Sequence, residues 1–269
     1  MSVVRLEFRN VTMRFTERGK GVTLTAVTDV SFSIGDGEVV SLIGPSGCGK
    51  STLLNIGSGL TAPSEGGAFV DGQRVEGPNA HVAFMLQKDL LLPWRTITEN
   101  VMFGVEIQGV PQPERKRRAQ SLLENFNLAE FSGHYPHQLS GGMRQRVALA
   151  RTLAVDPHVL LLDEPFSAVD AQTRMVLQRD LAQTLKQAGK TALLITHDLT
   201  EAVILSDRVL VMSRRPGTVI DEISIDMPQR DNPIARRHDP KVSDYVAQLM
   251  DRLDIVHASL EQPAATGAA

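Results

Sequence analysis

The 269-residue sequence has a single cysteine, Cys48, so an internal disulfide framework is excluded and a reducing compartment is indicated. Aromatic residues are scarce at 4%, with one Trp and two Tyr, so Leu, Val, Ile and Ala must fill the core. Neither sign of charge dominates, since 28 Lys and Arg face 31 Asp and Glu for a net charge of −3. That balance argues against wrapping nucleic acid by bulk charge, and no nucleic-acid partner is expected. Low net charge with 42% hydrophobic residues argues equally against a disordered chain. No apolar run reaches the roughly 18–20 residues that a membrane helix needs. The opening MSVVRLEFRN alternates in β fashion and lacks the apolar centre of a signal peptide. A soluble, cytoplasmic protein is expected, with any membrane role arising through a partner.

Strand-like and helix-like stretches alternate along the chain. VVRLEF and VTLTAVTDVSFSI read as strands separated from the next by the GDG turn at 35–37. EVVSLIG at 38–44 is a short apolar run ending in glycine, the pattern of a buried strand. Further strands are expected at 66–72 and 81–86. From about 96 to 153 the periodicity becomes helical, and Thr96 with Glu99 forms a capping-box pair at its start. Strands return as HVLLLDEP and TALLITHD, with a helix between them. Apolar strands alternating with helices imply a mainly parallel sheet covered on both faces, with the helical middle inserted into it. From about Thr218 the pattern weakens, one amphipathic helix is expected at 242–253, and the tail QPAATGAA is expected to be disordered.

Gly44-Pro45-Ser46-Gly47-Cys48-Gly49-Lys50-Ser51-Thr52 fits G-x-x-x-x-G-K-[ST], between an apolar strand and a helix. Its glycines let successive amides point at a phosphate, and the helix adds its positive N-terminus. Lys50 would reach the β- and γ-phosphates of ATP, and Ser51 would offer its hydroxyl to Mg²⁺. A dinucleotide fingerprint is excluded, because Thr52 stands where a third glycine or alanine belongs. Cys48 is either a small residue tolerated in the turn or a reactive thiolate at a helix N-terminus.

Asp163 and Glu164 end the buried strand VLLLDEP, at the sheet edge where parallel α/β proteins bind ligands. Asp163 would hold Mg²⁺ and Glu164 would accept a proton from attacking water. His197 follows TALLIT at the equivalent edge, where it is either polar surface or a γ-phosphate contact. The other six histidines read as ordinary polar residues; His134 and His137 are spaced for one helix face without a third metal ligand nearby. The basic run at 115–118 reads as a solvated helix face diluted by Glu114. Ser140-Gly141-Gly142 opens another apolar helix and makes a second anion site. A head-to-tail homodimer lets each nucleotide lie between one subunit's phosphate loop and the other's LSGG.

The ordered set GPSGCGKST, Gln87, LSGGMRQR, LLLDEP, SAVD and His197 resembles an ABC-transporter ATP-binding subunit over residues 3–220. The resemblance implies an α/β fold: a P-loop NTPase (RecA-like) core with an antiparallel β-subdomain and an inserted α-helical subdomain at about 96–153. Residues 1–220 would be the cassette and 221–269 a short extension. It implies that Gln87 senses Mg²⁺ and the attacking water, and that Asp170 meets the opposite subunit. Phe15 lies where the family stacks an aromatic on adenine, although a half-buried strand Phe also suits the core.

The chain carries one cassette and no fused membrane domain, which resembles importers. QKDLLLPWRTITEN at 87–100 and SRRPG at 213–217 are similar to the nitrate/sulfonate/taurine importer group. The implied partners are integral-membrane permease subunits and, indirectly, a solute-binding protein, which places the chain peripherally on the cytoplasmic face of the membrane. A thiamine-precursor (pyrimidine) importer ATPase is the alternative within the wider group, and a soluble iron–sulfur assembly ATPase the alternative outside transport. Residues 90–94, three leucines then Pro93 and Trp94, either fold back as core or form the permease-docking patch.

Overall fold

The computed structural model describes residues 3–16, 22–167 and 169–258, with side chains to 253. The expected disordered tail lies outside the described residues. Two long strands come first, β1 (Val4–Thr16) and β2 (Thr23–Gly35), paired antiparallel with several bulges. They are followed by β3 (Val39–Ile43), α1 (Lys50–Gly57), β4 (Glu65–Val70), β5 (Gln73–Arg74) and β6 (Val82–Met85). The helical middle holds α2 (Ile97–Ile107), α3 (Gln112–Asn125) and α4 (Gly141–Ala154). Then come β7 (Val159–Asp163), α5 (Ala171–Gln187), β8 (Thr191–Ile195), α6 (Leu199–Leu205), β9 (Arg208–Met212), β10 (Val219–Ser224), α7 (Pro233–Arg237) and α8 (Lys241–Ala258).

The strands form two sheets. One is antiparallel, ordered β2-β1-β4-β5; the other is ordered β10-β9-β3-β8-β7-β6 and parallel except for its edge strand β10. Alternation along the parallel strands explains the two-sided core. Leu160 and Leu162 of β7, with Ala192 and Leu194 of β8, face the layer built by α2–α6. Val159, Leu161, Leu193 and Ile195 face α1 and the antiparallel sheet. Each such fully buried aliphatic side chain contributes about 1.5–3 kcal/mol, so strands buried on both faces must read as continuous apolar runs. Phe8 and Phe32 stack across β1 and β2 at 4.7 Å and close the antiparallel sheet onto α1.

Helix starts follow their local chemistry. The capping box at α2 forms: Glu99 N donates to Thr96 Oγ1 at 3.3 Å, and Thr96 N donates to Glu99 Oε2 at 2.7 Å. Pro111 and Pro113 flank the start of α3, where a missing N–H costs nothing. His134 and His137 do not share a helix face. His134 lies in the irregular stretch between two short 3₁₀ turns and His137 on the second of them, and they pack on Phe131 at 5.4 Å and Tyr135 at 5.9 Å respectively. Within the basic run, Arg117 and Arg118 both pair with Glu114, as a solvated face should.

The segment after Thr218 is more ordered than its weak pattern suggests, and the position 220 falls inside β10. Ile223, Ile225, Met227, Val242 and Leu249 join the main core. Buried Arg236 of α7 donates to the carbonyls of Met227, Pro228 and Ser206, tying this segment to the end of α6. No described helix is long and apolar enough to cross a membrane.

Candidate functional site

The C-terminal ends of β3, β7 and β8 gather the chemistry. After β3, residues 44–49 wrap back to the start of α1. Gly49 adopts φ 108°, and a Cβ there would strike Val27 Cγ1, so only glycine fits. The Lys50 ammonium donates to the Gly44 and Pro45 carbonyls at 2.8 and 3.0 Å. Cys48 is buried, its Sγ 3.8 Å from the Lys50 nitrogen, a small residue packed inside the turn. Ser46, Gly47, Gly49, Lys50, Ser51 and Thr52 line an open cleft of about 290 Å³ with Glu164. That is at the lower end of the usual size for a ligand site, roughly 300–1,000 Å³. Phe15 and Leu24, cross-strand partners on β1 and β2, form its apolar wall, so Phe15 is half-exposed at the cleft and not in the core.

At the end of β7, Asp163 and Glu164 have different partners. Burial pushes the Asp163 carboxyl above the usual carboxylate range; a hydrogen bond from Ser51 opposes this, adjacent Glu164 adds to it, and Lys50 opposes it. Glu164 sits at φ 46°, a conformation seldom held by a residue with a side chain, while its N–H donates to Ile195 O at 3.0 Å. Its Oε2 lies 3.1 Å from Gln87 Nε2 and 3.3 Å from His197 Nδ1. Residues 110 positions apart in sequence thus converge on one carboxylate oxygen.

The loop after β6 links this cluster to α4. Gln145 Nε2 donates to Gln87 O at 3.3 Å. Arg144 Nε bonds Asp89 Oδ2 at 3.0 Å, and Arg151 donates to the Asp89 and Leu90 carbonyls at 2.6 and 2.8 Å. From α2, buried Asn100 accepts from Leu92 N at 2.7 Å and donates toward the carbonyls of Leu92, Arg95 and Thr96 at 3.0–3.1 Å. The apolar run divides: Leu91 is only 8% exposed and joins the core, whereas Trp94 is 72% exposed and Leu90 also faces outward.

Ser140 caps α4, its Oγ accepting from Met143 N at 3.3 Å, and Gly141 and Gly142 form the first helical positions. Ser140, Gly141 and Gly142 are not among the residues lining the cleft around Lys50 in the same chain. A Cβ on Gly142 would strike Thr173 Cγ2 at the start of α5. Asp170 caps α5, accepting from Thr173 N at 3.0 Å, and that bond with the Thr173 hydroxyl holds its carboxyl below the usual range. Sequence reasoning missed the apolar lining residues Leu24, Ala26 and Ile195 and the charged Arg215, whose guanidinium donates to Gly47 O at 3.0 Å. Its only signal was the SRRPG segment.

Comparison with known proteins agrees with this geometry. Residues 27–167 match the family model described as ABC transporter. The taurine import ATP-binding protein TauB of Yersinia pestis is 47% identical over 205 residues, 76% of this chain and 80% of its own. An uncharacterised ABC transporter ATP-binding protein of Methanocaldococcus jannaschii is 45% identical over 224 residues, 83% of each chain. Among solved structures, a dimeric ATP-binding cassette in a post-hydrolysis state with ADP and Pi superimposes with a TM-score of 0.73. It is 32% identical and is covered over 99% of its length by 82% of this chain. With a P-loop cleft, an acidic strand end and an LSGG-capped helix on one α/β frame, the chain belongs to the ABC transporter family, as an ATP-binding subunit with ATPase chemistry.

Proposed function

We propose that the chain is the ATP-hydrolysing subunit of an importer, acts as a head-to-tail homodimer, and powers uptake of a small anion of the sulfonate, taurine or nitrate kind. The observation that carries the catalytic part is the convergence of Gln87, Glu164 and His197 beside the loop that holds Lys50. In this reading residues 44–52 cradle the phosphates of ATP and Phe15 stacks on the adenine. Lys50 neutralises charge on the β- and γ-phosphates. Glu164 takes a proton from the attacking water, and Gln87 and His197 fix the position of that water and of the γ-phosphate. Ser51, Asp163 and Gln87 offer a hard oxygen set suited to Mg²⁺, and the Ser51–Asp163 hydrogen bond already brings two of these groups together. Mg²⁺ bound there would supply charge neutralisation for the phosphates.

The second half of each site comes from the other subunit, whose Ser140, Gly141 and Gly142 present helix-terminal N–H groups and whose surface meets Asp170. The cassette-dimer relative supports this arrangement. The permease would dock on the exposed Leu90 and Trp94, in a loop bonded to both α2 and α4, so that changes at Gln87 reach the membrane partner at the cytoplasmic face. The solute class rests on the taurine-import relatives.

A mixing experiment tests the composite site. Ser140→Arg blocks the second anion site and Lys50→Ala disables the first, so each homodimer should be inactive. Their heterodimer holds one site with both halves intact and should regain part of the ATPase rate. Full activity of Ser140→Arg alone contradicts the reading.

A further inference from the structure

Far from the phosphate loop, Asp71, His81 and His158 bring three ligand atoms together from three separate segments. Asp71 sits in the turn between β4 and β5, His81 immediately precedes β6, and His158 immediately precedes β7. The two histidines thus lie at the N-terminal ends of the strands whose far ends lead to Gln87 and Asp163. At about 3.3 Å per residue, four or five strand residues place the cluster about 15 Å from those groups. None of the three residues belongs to any motif of the nucleotide site.

We propose that these residues form a binding site for one divalent transition-metal ion of the Zn²⁺ class, which staples the antiparallel sheet to the parallel sheet. Three observations support this. First, the spacing suits a shared ion. His81 Nδ1 and His158 Nδ1 are 3.2 Å apart, and Asp71 Oδ2 lies 2.6 Å from His158 Nδ1 and 3.8 Å from His81 Nδ1. Ligands about 2.0–2.1 Å from a tetrahedral Zn²⁺ stand roughly 3.3 Å from one another, and the three distances bracket that value.

Second, the ligands are held from behind. Arg5 binds the other carboxylate oxygen, Asp71 Oδ1, at 2.7 Å and is itself held by Asp36 at 2.7 Å. That leaves Oδ2 turned toward the imidazoles, the kind of outer support metal ligands commonly have. The backbones carrying the two rings are tied together: His158 N and Val159 N donate to His81 O at 2.9 and 3.0 Å, and His81 N donates to Asn79 Oδ1 at 3.0 Å.

Third, the Nδ1 atoms of His81 and His158 are turned toward each other and toward Asp71 Oδ2, so all three donor atoms face one point. Two imidazoles and one carboxylate suit Zn²⁺, Co²⁺, Ni²⁺ or Cu²⁺, whereas Mg²⁺ prefers oxygen alone. The side chains are 25%, 54% and 41% exposed for Asp71, His81 and His158, leaving solvent access for a water in the fourth position. The residues span 77 positions between the histidines, so sequence spacing carries no metal signature.

The test uses the full chain, stripped with chelator and free of nucleotide, titrated with Zn²⁺ against a chromophoric competitor and separately with Co²⁺. One ion should bind per chain, and it should raise the melting temperature. Co²⁺ should give the visible bands of a four-coordinate site without a thiolate charge-transfer band, which separates this site from Cys48. His81→Ala and His158→Ala should each weaken binding by at least about tenfold to a hundredfold, as loss of metal-site groups does, and remove the thermal shift. Asp163→Asn should leave both unchanged. His81→Gln, with circular dichroism as the fold check, covers the case in which an alanine variant fails to fold. No ion retained at micromolar protein, or binding that survives both histidine substitutions or disappears in Asp163→Asn, overturns the proposal.

Discussion

Asn100→Asp exchanges one atom and tests how the loop at 87–95 is held. Asn100 is fully buried; its Oδ1 accepts from Leu92 N, and its Nδ2 faces three carbonyls within 3.1 Å. Aspartate keeps the acceptor but turns a second oxygen toward the carbonyls of Leu92, Arg95 and Thr96. Each hydrogen bond lost contributes about 0.5–1.5 kcal/mol, and each polar group left buried without a partner costs about 1–3 kcal/mol. Allowing some carbonyls to turn to water, the loss is about 3 kcal/mol. In a chain of this size that lowers the melting temperature by roughly 6–12 °C. Asn100→Ala should fall somewhat short of this, since it introduces no charge. Because the same loop runs from Gln87 to the contacts with Arg144 and Arg151, its loosening should also lower ATPase turnover, by about 2- to 30-fold for a coupling of 0.5–2 kcal/mol. ATP affinity should stay unchanged, as the phosphate loop makes none of these bonds. Thermal denaturation and nucleotide titration decide the matter. A stability loss under about 1 kcal/mol, or affinity falling in step with turnover, refutes the reasoning.

Glu201 offers a pH test: burial pushes its carboxyl above the ordinary value of 4.5 despite hydrogen bonds from Thr196 and Gln178. The folded chain therefore holds this proton more tightly than the unfolded one, and ionised Glu201 costs stability at neutral pH. Glu201→Gln should raise the melting temperature at pH 8, with the gain vanishing as the pH falls below about 4.5; a gain that persists in acid counts against this. Trp94→Ala removes an exposed side chain and should change free-subunit stability by no more than about 0.5 kcal/mol. If Trp94 anchors the permease, the same change should weaken that complex by about 2 kcal/mol or more and reduce solute uptake; unfolding of the free subunit, or normal uptake, rejects the docking role.

Local signals made much of the frame legible. The apolar runs at 39–43, 159–163 and 191–195 became buried parallel strands because both faces are covered. Thr96 and Glu99 announced a helix start through chemistry confined to one turn. Features that depend on distant neighbours were harder to read. The Arg236 side chain looks like surface charge until five carbonyls from two segments surround it. Tertiary packing likewise holds the chain after Thr218, whose short elements have little periodicity of their own. Within the cleft, the loop at 44–52 is contiguous and readable from spacing, whereas the approach of Gln87 and His197 to Glu164 depends on the order of strands β6, β7 and β8. Arg215 reaches Gly47 from 168 positions away, which no local pattern records.

The central claim, that ATP is held between two copies of the chain, is tested most directly by the mass of Glu164→Gln in solution. If Glu164 is the proposed base, an amide there cannot take the proton, and this variant should bind ATP without turning it over. Light scattering with saturating ATP should then report twice the 29.4 kDa mass of one chain, and the single-chain mass without nucleotide. Adding Ser140→Arg to the same chain should return the ATP-bound protein to the single-chain mass while nucleotide still binds. A monomer at saturating ATP, or a dimer indifferent to Ser140→Arg, would contradict the account.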